Sequence, residues 1–326
     1  MSPKDFFMQQ SRTTGSKGLG SAPRMAMAFV PALFAATPAA AATLMVGPGQ
    51  TYALPSQAAA AARAGDTVII TPSTYHDCAV WTADNLTIEA SAHGVVLSAT
   101  VCQNKAIFVI PANNVTVRGV TFTGAKSTDG NGAGIRAEGT NLMVDDSTFT
   151  YDQDGILAEP NPASTIIITG STFIHDGACI GECAHGIYIG AAALLQVDHS
   201  RFYATQKGHH IKSRAASTQI SDCDIEDGPT GTASYLVDIP NGGELSITDT
   251  VLEKGPRAEN HSTAISIGEE GVRNSTTQLT IAGNIFTNNG HATVFVTNDT
   301  TAAARLSANT LLGNAATPLK GPGTAQ

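Results

Sequence analysis

The sequence predicts an all-β fold, a parallel β-helix in which a single chain winds through a stack of similar coils. One short phrase recurs along the chain in the forms TVRGVTF, MVDDSTF, IITGSTF, QVDHSRF, QISDCDI, SITDTVL, TIAGNIF and RLSANTL. Its last apolar residue returns every 23 to 34 residues, as Phe122, Phe149, Phe173, Phe202, Ile225, Leu252, Phe286 and Leu311. Repeats of this length indicate a stacked array of structural units.

A second apolar stretch follows most copies of the phrase and alternates apolar and polar residues. Its copies are AGIRAE (133–138), DGILAE (154–159), HGIYIG (185–190), HHIKSR (209–214), YLVDIP (235–240), TAISIG (263–268) and TVFVT (293–297). A period of two with many β-branched residues is typical of strands. No repeat has the longer period of a helix, which argues against leucine-rich, ankyrin and other helix-containing arrays. We therefore expect two or three strands per coil, with coils ~4.8 Å apart.

A column of small or hydrogen-bonding residues stands two positions before the end of the phrase. Its members are Ser147, Ser171, Ser200, Cys223, Thr250, Asn284 and Asn309. Such side chains bond to nearby backbone, so the column is predicted to point inward and to form a polar ladder. Cys223 is accordingly expected to be buried and is not predicted to be a nucleophile.

The N-terminal residues differ from the repeats. Residues 1–24 are polar and carry four cations, and the following MAMAFVPALFAATPAAAA is apolar and ends in small residues. This pattern predicts a signal peptide over residues 1–42, with Met25 and Met27 as alternative starts. The apolar run is short and holds two prolines, so no stable membrane span is expected. Residues 43–326 are predicted to form a single β-helix domain that is exported, either to the periplasm or into the medium.

The charge balance limits the partners. The chain has 18 Lys and Arg against 27 Asp and Glu. Loss of residues 1–42 removes four cations and one acid, which leaves 14 against 26, a net charge of −12. An acidic surface of this size disfavours nucleic acid as a partner. A local cluster of basic residues therefore becomes conspicuous.

Five cysteines in an exported protein suggest disulfide bonds. Cys179 and Cys183 are close in sequence, and Cys78 and Cys102 lie about one coil apart. Pairing each couple leaves Cys223 free. Metal binding by these cysteines is the weaker interpretation, because their spacing matches no zinc pattern.

An alanine-rich segment before the first coil, about residues 54–64, is predicted to form a helix that stops at Gly65–Asp66. A strand is predicted after it, at residues 68–71. A helix in this place would cover the open end of the stack, as terminal caps of solenoids do.

With these features the chain resembles the pectin-lyase-like superfamily of right-handed parallel β-helices. The resemblance rests on the opening PGQTY…AAxxAxxGDTVxITPxTY and on the strand phrases, and it covers nearly everything after residue 43. The phrases NGAGIR, HGIYIG, GHHIKSR and SYLVDIPNGG are similar to those of exported bacterial proteins described as β-helix repeat-containing. The resemblance implies a carbohydrate-active protein, because the superfamily includes pectate, alginate and chondroitin lyases, uronate C5-epimerases and polygalacturonases. Fold alone does not choose among them.

Alignment of the second strands on their inward residues locates a candidate site. The inward residues are Ile135, Ile156, Ile187, Ile211, Val237, Ile265 and Val294, and the outward residues that follow them are Arg136, Leu157, Tyr188, Lys212, Asp238, Ser266 and Phe295. Tyr188, Lys212 and Asp238 thus become neighbours on three adjacent coils. His210 and Arg214 lie two residues from Lys212 and are expected to share its face. These five residues are the predicted catalytic residues.

Proton abstraction beside a uronate carboxylate suits this group of residues. Removal of the weakly acidic C5 proton requires cations that neutralise the carboxylate and a base that takes the proton. Lys212 and Arg214 can neutralise the carboxylate. His210 or Tyr188 could be the base or the acid. Asp238 opposes a lowering of the Lys212 pKa, so Lys212 is preferred as a clamp over Lys212 as a base.

The surroundings of these residues are predicted to bind substrate. The Cys179–Cys183 loop and the insertion GPRAENHS (255–262) fall on one corner of the coil, where they could wall a cleft. His185 and His209 share a column at this corner and are expected to stack or to bind a sugar hydroxyl; no third residue completes a metal site. The predicted substrate-binding residues are Arg136, His185, His209, Asn260 and His261.

A glycoside hydrolase is an alternative. DQDGI, HGIYIG and IKSR loosely resemble, in order, the Asp-pair, GHG and RIK segments of polygalacturonases, in which two carboxylates act across the glycosidic bond. The pair here is Asp152 and Asp154 with Gln153 between them, the Lys and Arg order is reversed, and the third aspartate is at best Asp129. This alternative ranks below the lyase.

Two other interpretations stay open. Glu138 and Glu159 share a column and could hold Ca²⁺, although solvated glutamates are the simpler interpretation, and no metal is assigned. The basic strand could be a solvated face, with a Lys212–Asp238 ion pair worth ~1 kcal/mol or less. The sequence thus predicts a lyase or C5-epimerase of an acidic, uronate-containing polysaccharide or oligosaccharide. A non-catalytic polysaccharide-binding β-helix is the competing class.

Overall fold

A computed structural model of the protein describes residues 40–326, so the predicted signal peptide lies outside the described residues except for its last three positions. The described chain is an all-β solenoid of parallel strands with one short helix near its start, as the repeats predict. In chain order the strands are β1 (Thr43–Val46), β2 (Thr67–Ile70), β3 (Ser73–Tyr75), β4 (Ala79–Val80), β5 (Thr87–Ala90), β6 (Val95–Ser98), β7 (Ala106–Ile110), β8 (Val115–Arg118), β9 (Thr121–Thr123), β10 (Ala133–Ala137), β11 (Leu142–Asp145), β12 (Thr148–Thr150), β13 (Asp154–Ala158), β14 (Asn161–Thr169), β15 (Thr172–Ile174), β16 (Ala178–Ile180), β17 (Glu182–Ala184), β18 (Ile187–Ile189), β19 (Ala192–Asp198), β20 (Arg201–Tyr203), β21 (Ile211–Ser213), β22 (Ser217–Ser221), β23 (Asp224–Glu226), β24 (Val237–Ile239), β25 (Glu244–Thr248), β26 (Val251–Lys254), β27 (Thr263–Ile267), β28 (Leu279–Ala282), β29 (Ile285–Asn298), β30 (Ala304–Ser307), β31 (Thr310–Lys320) and β32 (Gly323–Ala325).

The strands form three faces along the stack, and the strands within each face are parallel. The first is a 12-stranded sheet in the order β1-β2-β5-β8-β11-β14-β19-β22-β25-β28-β30-β32. The second runs β3-β6-β9-β12-β15-β20-β23-β26, and the third runs β4-β7-β10-β13-β18-β21-β24-β27. The long strands β29 and β31 pass through the corner between the second and third faces and belong to both. A typical coil therefore contributes one strand to each face, for example β19, β20 and β21.

The recurring phrase supplies the first two strands of each coil, and its last apolar residues pair in register as predicted. The rings of Phe122, Phe149, Phe173 and Phe202 stack inside the coils with centroids 5.0, 4.7 and 4.5 Å apart. Each ring is fully buried. Continuous burial of one apolar column from coil to coil is what holds a solenoid together.

The predicted polar ladder is confirmed. The backbone N–H of Ser147 donates to Ser171 Oγ at 3.2 Å, and that of Ser171 donates to Ser200 Oγ at 3.1 Å. Later in the stack Thr250 N–H donates to Asn284 Oδ1 at 3.0 Å. Cys223 occupies its expected place, buried and without a disulfide. These side chains satisfy amides at a turn where the backbone ladder is interrupted.

The capping helix is shorter than the sequence predicts. Helix α1 spans Pro55–Ala61 and ends well before Gly65. Proline at the first turn suits a helix start, and Asp77 accepts a 2.8 Å hydrogen bond from the Ser56 N–H at that end. Ala58 and Ala59 are buried against the first coils. The predicted strand after it is β2, which begins one residue earlier than expected.

Both predicted disulfides are present. Cys78 and Cys102 pair with their Cα atoms 5.5 Å apart, and Cys179 pairs with Cys183 with Cα atoms 4.1 Å apart. The second bond ties the antiparallel hairpin β16–β17. Within the described chain there is no helix with the length and apolar character to span a membrane.

One position of the predicted strand register is wrong. Ile265 pairs with Val296 and not with Val294, so Thr297 follows Ser266 in the outward column. Phe295 is fully buried and stacks on Phe286 at 4.8 Å. In the observed register Phe295 precedes the inward Val296, as Ala264 precedes Ile265 and Leu236 precedes Val237, and this position is fully buried on all three coils.

Candidate functional site

The third face places the predicted outward residues side by side. Leu157 pairs with Tyr188, Tyr188 with Lys212, Lys212 with Asp238, and Asp238 with Ser266. The alignment that located this column is therefore confirmed by the strand register. The buried residues that fix it are the inward isoleucine and valine side chains, because their burial sets which way each strand faces.

Lys212 and Arg214 form a cation pair that binds one carboxylate, that of Glu270. Lys212 Nζ lies 3.0 Å from Glu270 Oε1, and Arg214 Nη2 lies 2.7 Å from Glu270 Oε2. Arg214 Nε also donates to Tyr188 Oη at 2.8 Å, and its Nη1 donates to Asn241 Oδ1. Both oxygens of the Glu270 carboxylate are thus bound, one by each cation.

Asp238 lies on the other side of Lys212. Its Oδ2 is 3.3 Å from Lys212 Nζ and 3.4 Å from His209 Nε2, and the residue is 2% exposed. Its Oδ1 is buried without a hydrogen-bond partner. Burial raises the pKa of Asp238 to about 6, although Lys212 acts in the opposite direction. A carboxyl with this pKa can change protonation state near neutral pH.

His185 and His209 stack as predicted, and Tyr235 extends the column. The ring centroids are 4.9 Å apart in both steps. His185 Nδ1 accepts the His209 N–H and His209 Nδ1 accepts the Tyr235 N–H, so each neutral ring carries its proton on Nε2. Burial lowers the pKa of His209 well below its usual range and that of His185 to about 3. Both rings are therefore neutral, and His209 directs an N–H toward Asp238.

The prediction that His210 shares the face of Lys212 is wrong. His210 is fully buried, with Nε2 2.9 Å from Asp227 Oδ1 and Nδ1 2.8 Å from Thr205 Oγ1. Strand β21 begins only at Ile211, so the alternation of strand side chains does not extend to residue 210. His210 is a structural residue of the coil interior and cannot contact a glycan on this face.

The other predicted binding residues lie at the margins. Arg136 is two coils before Tyr188 and pairs with Glu159, its Nε 3.0 Å from Oε1. Asn260 Nδ2 donates to Ser234 Oγ at 3.4 Å, and Ser234 directly precedes Tyr235 in the sequence. His261 packs edge-to-face on His291 at 4.5 Å and does not join the His209 column. Substrate binding by these residues stays a prediction.

The two segments that were predicted to border a cleft, the Cys179–Cys183 loop and residues 255–262, lie at the same corner of the coil, between the second and third faces. The hairpin β16–β17 precedes β18, and residues 255–262 connect β26 to β27. Glu259 of the second segment pairs with Lys207, which lies in the turn before β21. The hairpin packs on Gly130, where a Cβ would lie 3.0 Å from the Cβ of Ile180 and would be crowded. Both segments thus pack on turns at one edge of the face that carries Lys212.

The residues proposed for a hydrolase do not form a surface site. Asp152 and Asp154 are 1% and 0% exposed, and their Oδ1 atoms accept the N–H groups of Ala125 and His185. Burial raises the pKa of Asp154 to about 8 and that of Asp152 well above its usual range. Asp129 is at the surface. The two buried aspartates cannot reach a glycosidic bond, so the polygalacturonase-like assignment of these residues is wrong.

The glutamate column considered for Ca²⁺ is engaged in ion pairs. Glu138 pairs with Lys105, and Glu159 pairs with Arg136. Among residues 40–326, the side chains of Asp198, His199 and Asp222 lie close enough together to share a metal ion. Asp198 ends β19, and His199 and Asp222 lie in the turns between the first and second faces, away from Lys212.

Sequence reasoning missed Glu270 and Asn241, both of which contact Arg214. Asn241 follows strand β24 by two residues, and Glu270 follows strand β27 by three residues; both strands belong to the third face. The signal was the acidic pair in GEEG, which comes immediately after the strand next to that of Asp238. Turn residues escape a strand alignment because their direction depends on the turn and not on a period of two.

Comparisons with known proteins agree with this fold. A family model described as a right-handed β-helix region matches residues 66–236 and 161–321. The solved structure of an alginate lyase from Paenibacillus sp. strain FPU-7 aligns with a TM-score of 0.66 over 87% of this chain and 99% of that chain, at 17% identity. The pectate lyase Pel9A aligns with a TM-score of 0.61 over 87% and 77%, at 15% identity. The protein ORF18 of Geobacillus virus E2 aligns with a TM-score of 0.54 over 79% and 52%, at 14% identity.

No curated protein sequence matches the chain significantly. At the identities of the solved structures, the likeness establishes the fold, a right-handed parallel β-helix.

Proposed function

This chain belongs to the right-handed β-helix family, and we propose that it is an exported lyase or C5-epimerase of a uronate-containing polysaccharide. The proposal rests on the contacts that Lys212 and Arg214 make with the two oxygens of the Glu270 carboxylate. The cation pair therefore has the spacing that a uronate carboxylate needs. The two disulfides are compatible with export, since such bonds persist in oxidising compartments.

Both reactions begin with removal of the C5 proton of a uronate. In β-elimination the electron pair of the C5–H bond forms the C4=C5 double bond, the C4–O4 bond breaks, and O4 leaves with a proton from an acid. In epimerisation the proton returns to C5 from the opposite face. Cations on the carboxylate stabilise the negative charge that builds up after proton removal. Lys212 and Arg214 supply this charge.

Asp238 and Tyr188 are the groups proposed to move protons. They flank the cation pair from opposite sides along the stack, since Tyr188 is one coil before Lys212 and Asp238 one coil after it. Asp238 is proposed as the base because its pKa of about 6 leaves it ionised, yet basic, near neutral pH. Tyr188, hydrogen-bonded to Arg214, is proposed as the acid. Neutral His209 orients Asp238.

The neighbours in structure favour this chemical class. Two of them are named as an alginate lyase and a pectate lyase, and each aligns with most of this chain. The competing proposal is a polysaccharide-binding β-helix without catalysis. The specific observation in its favour is that Asp238 is buried, so a base there has to be uncovered before it can act.

Ultraviolet absorbance decides between the two. The purified protein is expected to generate the absorbance of an unsaturated uronate from alginate, pectate or a glycosaminoglycan. The rate should rise with pH through about 6, because the base works in its deprotonated form. Epimerisation would give no absorbance but would exchange the C5 proton for deuterium in D₂O.

Binding to one of these polymers without absorbance or exchange would reject the enzyme and favour the binding protein. New reducing ends without absorbance would indicate hydrolysis and would also overturn the proposal.

A further inference from the structure

We propose that Glu270 is a built-in competitor of the substrate, which holds the cation pair until a glycan carboxylate replaces it. This inference rests on the proposed function and identifies what the site selects. A glycan must present a carboxylate that can bind Lys212 and Arg214 together, because a neutral sugar in the place of Glu270 would leave Arg214 without a carboxylate and Lys212 with Asp238 alone.

Glu270 is bound by the two cations as a substrate carboxylate would be. Its two oxygens contact two different cations, at 3.0 and 2.7 Å, and neither bond involves its own strand or turn. Charge-assisted hydrogen bonds of this kind are the ones that recognise carboxylates. The side chain is nevertheless 42% exposed, whereas that of Lys212 is 12% exposed. Glu270 therefore approaches the cations from the solvent side, as a glycan would.

The two cations are held in place by groups other than Glu270. Arg214 is also bound to Tyr188 Oη and to Asn241 Oδ1, and Lys212 is also bound to Asp238. Three groups other than Glu270 thus fix the pair. A site held in this way is preorganised, so an arriving carboxylate meets the cations already positioned.

Glu270 can leave the cation pair by a side-chain rotation. Its backbone is fixed, because Glu270 N–H donates to Pro240 O at 3.0 Å and Gly268 N–H donates to Ile239 O at 2.9 Å. Gly268 and Gly271 bracket the turn with φ values of +85° and +89°, which glycine adopts without strain. The turn need not move. Rotation of Glu270 about its side-chain bonds would vacate the cation pair and would remove the carboxylate that shares Lys212 with Asp238.

The ordinary alternative is that Glu270 is a structural ion-pair partner. A partner needed only for stability gains nothing from binding at the solvent side, where exposed pairs contribute ~0–1 kcal/mol. The two roles also differ in what they predict. A structural partner affects the melting temperature, whereas a competitor affects the affinity for anionic glycans.

The test is Glu270→Gln in the full chain, which removes the charge and keeps the size. Saturated oligogalacturonates and oligomannuronates are titrated into each protein by calorimetry, together with the same oligosaccharides after reduction of their carboxyl groups. We expect the variant to bind at least one acidic series about tenfold more tightly than the unmodified protein, and its affinity for the reduced series to change less than twofold. Glu226→Gln is the control, since Glu226 pairs with Arg201 on the second face and should leave affinity unchanged.

The outcomes separate this inference from the proposed function. Tighter binding of an acidic series without turnover in either protein would support the competitor and reject the enzyme. Turnover that falls in Glu270→Gln at unchanged KM would make Glu270 a catalytic residue and overturn the inference. Equal affinity of both proteins for all four ligands, or a lower melting temperature with no gain in affinity, would assign Glu270 a structural role.

Discussion

Replacement of Lys212 by methionine is expected to reduce turnover of the uronate polymer by about 100-fold or more, because one of the two cations on the carboxylate is lost. Methionine keeps most of the apolar stem that packs on the face. Asp238 then lacks its cation. Lys212 lowers the pKa of Asp238, which is about 6 in its presence, so loss of Lys212 raises that pKa further and lets Asp238 take up a proton instead of remaining a buried charge. The melting temperature should therefore fall by only about 2–4 °C, the equivalent of about 1 kcal/mol.

Initial rates and thermal melting of the same preparations check this expectation. Lys105→Met is the matched control, since Lys105 also pairs with a glutamate, Glu138, but does not belong to the cation pair. The control should keep both its rate and its melting temperature. Full turnover in Lys212→Met would show that the cation pair does not hold the substrate carboxylate. Failure of this variant to fold would make the pair structural.

Replacement of His210 by alanine is expected to destabilise the protein by about 3–5 kcal/mol, the cost of breaking a buried polar pair and leaving one partner unsatisfied. The ring is fully buried and bonds to both Asp227 and Thr205. Its removal leaves the Asp227 Oδ1 and the Thr205 hydroxyl without these partners and opens a cavity at the start of β21. Urea denaturation, with the midpoint and slope compared between proteins, measures the effect.

His199→Ala is the control for this experiment. The His199 side chain is 68% exposed, so its loss should leave the urea midpoint nearly unchanged. If His210→Ala kept the stability of the unmodified protein and lost turnover alone, His210 would act at the surface after all, as the sequence alignment predicts.

The sequence predicts the side-chain positions that repeat from coil to coil. The column Tyr188, Lys212, Asp238 was predictable because each is preceded by an inward Ile or Val whose burial fixes the strand direction. The polar ladder and the phenylalanine stack were predictable for the same reason. In each case a repeated environment demands the same kind of side chain on successive coils.

The failures lie where the period ends. His210 precedes its strand by one residue, and the coil interior offers it Asp227 and Thr205, which only the fold brings near. Phe295 lies inward because Ile265 pairs with Val296, two residues later than the alignment assumes, which gives Phe295 the buried position of Ala264. Glu270 lies in a turn, and its approach to Lys212, 58 residues away in sequence, depends on the path of that turn. Hydrophobic alternation carries no information about such turns.

In the proposed function Lys212 and Arg214 bind the carboxylate of a uronate sugar between Tyr188 and Asp238. A crystal structure of Asp238→Asn, which should be slow to turn over, with a bound oligogalacturonate or oligomannuronate tests it most directly. We predict a sugar carboxylate ~3 Å from both cations, with C5 facing residue 238 or Tyr188 and Glu270 rotated into solvent. A glycan bound on another face, with Glu270 still on the cation pair, would contradict the claim.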